Sequence, residues 1–300
     1  MKVIFIFASL FCLTLSFSFE MNETNLSRTN KEHIESKCIV DSLFSNSLNR
    51  DLNYVVYLPD AYFSDAERKF DVLYLLHGHG ENEMYWKVKG NIQRLLDSLR
   101  KKKSLRDFVV IMPDGGNSWY VDAKEKMESA IVSDLMPFIV SKYRINDHFE
   151  NRSIAGLSAG GFGSLRIVLK HPELFSNVVL MSPAIFPTDP VHNFYARKNV
   201  VAFQDEKGDF SDAIWNSFNY PNYWSEFDVN SKEFQYHFYL STGKTDCYPG
   251  IIESVNHILP LELDKRKDRI SYTIKNYKGG HEISVWQKAL IDGISSIYKK

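Results

Sequence analysis

Apolar residues follow two rhythms along this chain. Residues 72–76, 108–112, 178–181, 236–240 and 270–274 are short, nearly continuous apolar runs, the pattern of strands buried on both faces. Between them, residues 92–99, 130–143, 165–170, 251–263 and 285–298 repeat apolar positions at helical spacing. A further strand-like stretch, 153–155, leads into a glycine-rich turn. Strands alternating with amphipathic helices predict an α/β fold, a mostly parallel sheet with helices on both faces. Two runs ahead of this series, 38–44 and 52–58, flank a polar turn at 46–50 and predict an antiparallel hairpin.

The first residues follow neither rhythm. Lys2 precedes an almost wholly apolar stretch at 3–15, and Ser16 and Ser18 put small residues at the −3 and −1 positions of a cleavage site. These features predict a signal peptide at 1–18 and a protein that is secreted or held in a periplasm or cell envelope. The competing reading, an uncleaved anchor, asks for a longer span of about 20 residues. Phe11, large where lipid-anchor sites want a small residue, argues against an anchor on Cys12. Residues 19–36 are polar and aperiodic, a flexible leader. The remaining domain, 37–300, is interrupted at about 186–233 by a long stretch rich in Asn, Asp and aromatic residues, including Trp215, Phe218, Tyr220, Tyr223 and Trp224. Such an insertion is either a lid or binding loop, or a surface excursion whose aromatics pack on the core. Both readings stay open.

Composition narrows the partners. With 36 basic and 37 acidic residues the net charge is −1, so no overall field draws nucleic acid or an anionic membrane. Once 1–18 is removed no membrane contact is expected. Lys101, Lys102 and Lys103 read as the solvated end of a helix. Outside the signal peptide the cysteines are Cys38 and Cys247, too few for a disulfide framework and without zinc-ligand spacing. One disulfide and two free thiols are equally open. Sequons at Asn22, Asn25 and Asn151 matter only in a eukaryotic host.

The chemistry begins at Gly156-Leu157-Ser158-Ala159-Gly160, which matches G-x-S-x-G. That spacing lets a serine sit on a sharp strand-to-helix turn, where the flanking positions have no room for side chains. The pentad alone is weak; a strand-like segment before it and a helix after it supply the context. A serine hydroxyl needs a base, and the base needs an orienting carboxylate. Among nine histidines, His281 follows the 270–274 strand and precedes the last helix, at the strand's carboxyl end. His257 and His237 fall within a helix and a strand, and His171 at a helix end before Pro172. Asp246 follows the 236–240 strand in the same way, with Asp228, on the insertion, as runner-up. An oxyanion needs backbone donors: Ala159 directly after the serine, and His79, with Gly78 next, on the loop after Leu76. His77 and His79 are half a metal site with no recognisable partners, so no metal and no cofactor is expected.

Four segments together carry a family resemblance: LLHGHG at 75–80, PDGGNSWY at 113–120, GLSAGG at 156–161 and GGH at 279–281. In that order they are similar to the Putative esterase family, or esterase D group, with its feruloyl and acetyl xylan esterases, tributyrin esterase, S-formylglutathione hydrolase and mycolyltransferases. The similarity covers roughly 53–299. It implies an α/β-hydrolase fold, the triad roles for Ser158, Asp246 and His281, and a substrate pocket near Trp119 and Tyr120. His77, opening the glycine-rich loop, is read with these as a substrate-binding residue. The expected activity is hydrolysis of small acyl or aryl esters through an acyl-enzyme, on a small-molecule or saccharide ester. Export favours an acylated carbohydrate, acetyl or feruloyl. Acyl transfer by the same residues and a non-catalytic binding protein on this fold are the alternatives, and the sequence says nothing of oligomeric state.

Overall fold

The structure, a computed structural model, describes residues 34–102, 104–186, 197 and 199–300. The signal peptide, all but the last three residues of the leader, Lys103 and part of the 186–233 insertion lie outside the described residues. Among the described residues no helix is long and apolar enough to cross a membrane.

One eight-stranded sheet organises the domain: β1 (Lys37–Ser45), β2 (Arg50–Leu58), β3 (Asp71–Leu76), β4 (Phe108–Pro113), β5 (Arg152–Leu157), β6 (Asn177–Met181), β7 (Tyr236–Gly243) and β8 (Ile270–Tyr277). Their order across the sheet is β1-β2-β4-β3-β5-β6-β7-β8. β1 and β2 form the antiparallel hairpin and β2 pairs antiparallel with β4; from β4 to β8 every pairing is parallel. This is the α/β-hydrolase architecture, with a hairpin at one edge.

All six residues of β3 and of β4 are buried, which is why those segments read as unbroken apolar runs. Their side chains divide by alternation between two cores. Val72, Tyr74 and Leu76 join the core that also holds the helix Ala159–Lys170, whereas Leu73 and Leu75 join the one under the helices Ile92–Lys101 and Ile283–Tyr298. Cutting a fully buried leucine such as Leu240 to alanine costs about 2–5 kcal/mol.

Register fixes where chemistry can happen. Leu76 lies beside Gly156, Leu157 beside Met181, Met181 beside Ser241, and Gly243 beside Tyr277. The chain leaving β3, β5, β7 and β8 therefore emerges along one rim of the sheet.

Two helices differ in kind from the regular ones expected at 130–143 and 251–263. Each contains a widened π turn, Ala130–Leu135 and Ser254–Ile258, and each π turn runs into a helix with proline in its first two positions, Met136–Lys142 and Leu259–Asp264. Pro137 and Pro260 offer no N–H and crowd the preceding turn; widening that turn relieves the clash without ending the helix.

The described part of the insertion holds two short helices, Asp212–Phe218 and Trp224–Asn230. Its aromatics pack inward: Trp215, Tyr220, Trp224 and Phe227 are buried in the larger core. Beneath it, the buried Arg166 guanidinium pairs with the buried Glu128 and stacks over the rings of Phe218 and Tyr223 at 5.2 and 4.9 Å.

Candidate active site

β5 ends at Leu157, and the helix Ala159–Lys170 starts two residues later. Ser158, between them, has φ 50° and ψ −116°, a conformation that costs a non-glycine residue about 1–3 kcal/mol. The backbone is pinned there: Ser158 N–H donates to the Met181 carbonyl at 3.0 Å, and its carbonyl accepts from Phe162 and Ala184 at 3.1 and 2.9 Å. The flanking glycines are required sterically. A Cβ on Gly156 would lie 2.1 Å from the Gly160 carbonyl oxygen, and one on Gly160 would lie 2.5 Å from the His77 carbonyl oxygen.

His281 and Asp246 arrive on neighbouring strand ends whose outgoing loops are tied together. Lys244 N–H donates to the Tyr277 carbonyl at 2.8 Å and Thr245 N–H to the Gly279 carbonyl at 3.0 Å. His281 Nε2 lies 3.0 Å from Ser158 Oγ and its Nδ1 lies 2.9 Å from Asp246 Oδ2. A buried carboxylate must be hydrogen-bonded, and Asp246 Oδ1 accepts from Tyr248 N–H at 3.0 Å. With Asp246 accepting at Nδ1, the neutral imidazole carries its proton there and leaves Nε2 to accept from the serine hydroxyl. Tyr248 and Trp286 hold the ring edge-on, at 5.0 and 4.9 Å between centroids and interplanar angles of 90° and 88°. This chain of bonds can take a proton from an attacking hydroxyl and hold the cation that results.

Ser158 and His281 open onto a cavity of about 230 Å³. Tyr85, Trp119, Tyr248 and Trp286 supply aromatic walls, with Leu157, Ala184 and Ile251 between them. Gly78 and His79 border it, and Glu81, ion-paired to Lys89 at 2.7 Å, stands at its margin. None of the described residues 197–233 lines it. His79 Nδ1 accepts from the Trp119 indole N–H at 3.1 Å. Burial, and secondarily the nearby His77, lowers the His79 pKa below the ordinary histidine value. Ala159 opens the helix after the serine, so its N–H is one of the first-turn donors with no acceptor within the helix.

Two residues expected to bind substrate sit beneath the pocket instead. His77 is 2% exposed, its Nε2 accepting from Gly115 N–H at 2.8 Å and its Nδ1 lying 2.7 Å from the Gly78 carbonyl oxygen. With both ring nitrogens engaged, it can neither reach substrate nor take a metal. Tyr120 is 1% exposed and donates its hydroxyl to the His77 carbonyl at 3.0 Å. Burial raises the Tyr120 pKa well above its ordinary value. Asp228, the runner-up acid, is held by the Arg266 fork at 2.7 Å and by Arg269, away from His281. His237 lies 3.2 Å from Ser271 Oγ. Cys38 and Cys247 are both free thiols.

The sequence did not single out Tyr85, Tyr248, Ile251 or Trp286. For Tyr248 and Trp286 a signal was present: an aromatic two residues past Asp246 and another five past His281.

Comparison with known proteins agrees with this architecture. An acetyl esterase of Caldicellulosiruptor saccharolyticus is 26% identical over 285 residues, covering 86% of this chain and 97% of that protein. An endo-1,4-beta-xylanase/feruloyl esterase of Xylanibacter ruminicola is 29% identical over 168 residues, 53% of this chain but only 23% of that much longer protein. The solved structure of a ferulic acid esterase superposes with a TM-score of 0.69 at 23% identity, covering 88% of this chain and 98% of that one, and so shares the fold. Residues 45–297 match the family described as Putative esterase, and the chain belongs to that family as an esterase.

Proposed function

We propose that the chain is a serine carboxylic ester hydrolase with Ser158 as nucleophile, His281 as general base and acid, and Asp246 as the carboxylate that orients the imidazole. The observation that carries this is the unbroken hydrogen-bonded path from Ser158 Oγ through His281 to Asp246, at 3.0 and 2.9 Å, on the wall of an aromatic cavity. Ser158 Oγ attacks the ester carbonyl as its proton passes to His281 Nε2. The oxyanion is received by the N–H groups of Ala159 and of His79 or Gly78. The imidazolium returns the proton to the departing alcohol, leaving an acyl-serine. Water then repeats the sequence, releasing the acid and restoring the hydroxyl.

The size and aromatic lining of the cavity suit a small acyl or aryl group, and the relatives named acetyl esterase and feruloyl esterase support an acetyl or feruloyl ester of a carbohydrate as substrate. In this proposal residues 1–18 direct export and are cleaved after Ser18, which amino-terminal sequencing of protein recovered outside the cytoplasm checks. The functional test is turnover of p-nitrophenyl acetate and of acetylated and feruloylated oligosaccharides by the purified protein against Ser158→Ala. Loss of at least about 10³-fold in kcat is expected in the variant. Equal turnover by both proteins removes the serine mechanism, and transfer of the acyl group to an added polyol reassigns the activity to an acyltransferase.

A further inference from the structure

Residues 115–120 grip the 77–80 loop from end to end. Gly115 N–H and the Tyr120 hydroxyl donate to the ring and the carbonyl of His77, at 2.8 and 3.0 Å. The Trp119 indole N–H donates to His79 Nδ1 at 3.1 Å, and Gly80 N–H donates to Asn117 Oδ1 at 2.9 Å. Trp119 and Tyr120 are bulky, adjacent and both at positive φ, 54° and 61°, a combination that persists only where the surroundings over-determine it. Around Trp119 those surroundings are aromatic: Phe162 on the helix that follows Ser158, at 5.5 Å, and Phe203 and Trp215 from the insertion, at 5.3 and 6.2 Å. None of the described residues 197–233 lines the cavity, yet through Trp119 this segment bears on a loop that does.

We propose that Trp119 is a positioning residue which fixes the 77–80 loop as an oxyanion-binding element, and that residues 199–233 serve the reaction by bracing Trp119 and not by touching substrate. The proposal rests on the serine-esterase reading above. Its signature follows from when the loop acts. Preorganised N–H donors are used in the transition state, so displacing them lowers kcat, whereas loss of a plain pocket wall raises KM.

Trp119→Phe keeps a ring in place and deletes the indole N–H. His79→Phe deletes the acceptor, and His79→Asn returns an oxygen close to the position of Nδ1. Kinetics are referred to active sites counted with a fluorophosphonate, so that misfolded protein does not enter. Trp119→Phe and His79→Phe are each expected to lower kcat about tenfold, with KM within about twofold of wild type. The double variant is expected to match the worse single one, since the two side chains form one contact. His79→Asn is expected to recover most of the loss, and Phe203→Leu to reproduce part of it. A KM rise at constant kcat, or losses that multiply to about a hundredfold in the double variant, would overturn the proposal. An independent readout is the ¹⁵N shift of His79 Nδ1, expected to report an unprotonated, hydrogen-bonded nitrogen that changes in Trp119→Phe; a protonated Nδ1 in wild type would also overturn it. The underlying serine reading fails separately, through Ser158→Ala retaining turnover, whereas this proposal fails while turnover still depends on Ser158.

Discussion

Asp246 and Glu128 are both buried carboxylates, 5% and 2% exposed, and they are compensated in opposite ways. Glu128 pairs with Arg166 and Lys170, with His171 Nε2 3.2 Å away. Its charge is fully matched at rest, and what it gains is fixation: it ties the helix behind Ser158 to the first turn of the 127–142 helical run. Asp246 faces the His281 imidazole, the Tyr248 N–H and, at 3.5 Å, the Thr242 hydroxyl. In the proposed reaction a full counter-charge reaches it only when His281 takes the serine proton, as the transition state is approached. A buried acid paired with a fixed cation holds structure, and one paired with a titratable neutral base stores electrostatic stabilisation for the reacting state.

Substitution at each acid should separate these roles. Asp246→Asn is expected to lower kcat by about 10⁴-fold by favouring the wrong imidazole tautomer, with little change in melting temperature; steady-state kinetics beside thermal denaturation check this. Glu128→Gln leaves the buried Arg166 cation without its counter-charge, and a loss of about 3–5 kcal/mol of stability is expected, read by urea denaturation, with kcat per active site nearly unchanged. If Glu128→Gln loses activity as Asp246→Asn does at full stability, the distinction between the two acids collapses.

Proton uptake gives a smaller effect of known sign. Burial lowers the pKa of His79, His171 and His237 below 6.5, with neighbouring His77 adding to this at His79 and Lys170 at His171. The unfolded chain therefore binds protons more readily than the folded one, and stability should fall as pH drops through about 6.5. Melting temperatures across that range should show the decline, and His237→Gln should make it shallower. Smallest of all, Cys247→Ser changes an exposed thiol beside Asp246 and should leave kcat within about twofold, because the acid is fixed by Tyr248 N–H and His281 and not by this neighbour.

Most of the scaffold could be read from residue order alone, because buried parallel strands leave continuous apolar runs. β3 and β4 needed no more than that. The rim was legible for the same reason: Ser158, Asp246 and His281 each follow a run that ends in glycine or small polar residues, and the structure places His281 3.0 Å from Ser158 on one side and 2.9 Å from Asp246 on the other. What escaped depends on contacts between distant segments. Whether His77 and Tyr120 line the cavity or lie under it is decided by the positive φ at 119 and 120 and by the hydrogen bond from the Tyr120 hydroxyl to the His77 carbonyl, neither of which leaves a periodic trace. The π turns ahead of Pro137 and Pro260 keep the apolar spacing of an ordinary helix. The insertion gave no period to follow, since Trp215 and Phe203 are placed by the ring of Trp119 and by each other, at 4.8 Å.

The backbone bonds from Lys244 to Tyr277 and from Thr245 to Gly279 carry a mechanical consequence. Asp246 and His281 sit on the tied loops that follow the last two strands of the sheet, so the two side chains are coupled as one unit. A displacement of that edge that keeps these bonds would hold the 2.9 Å spacing and be felt first at the 3.0 Å contact between His281 Nε2 and Ser158 Oγ.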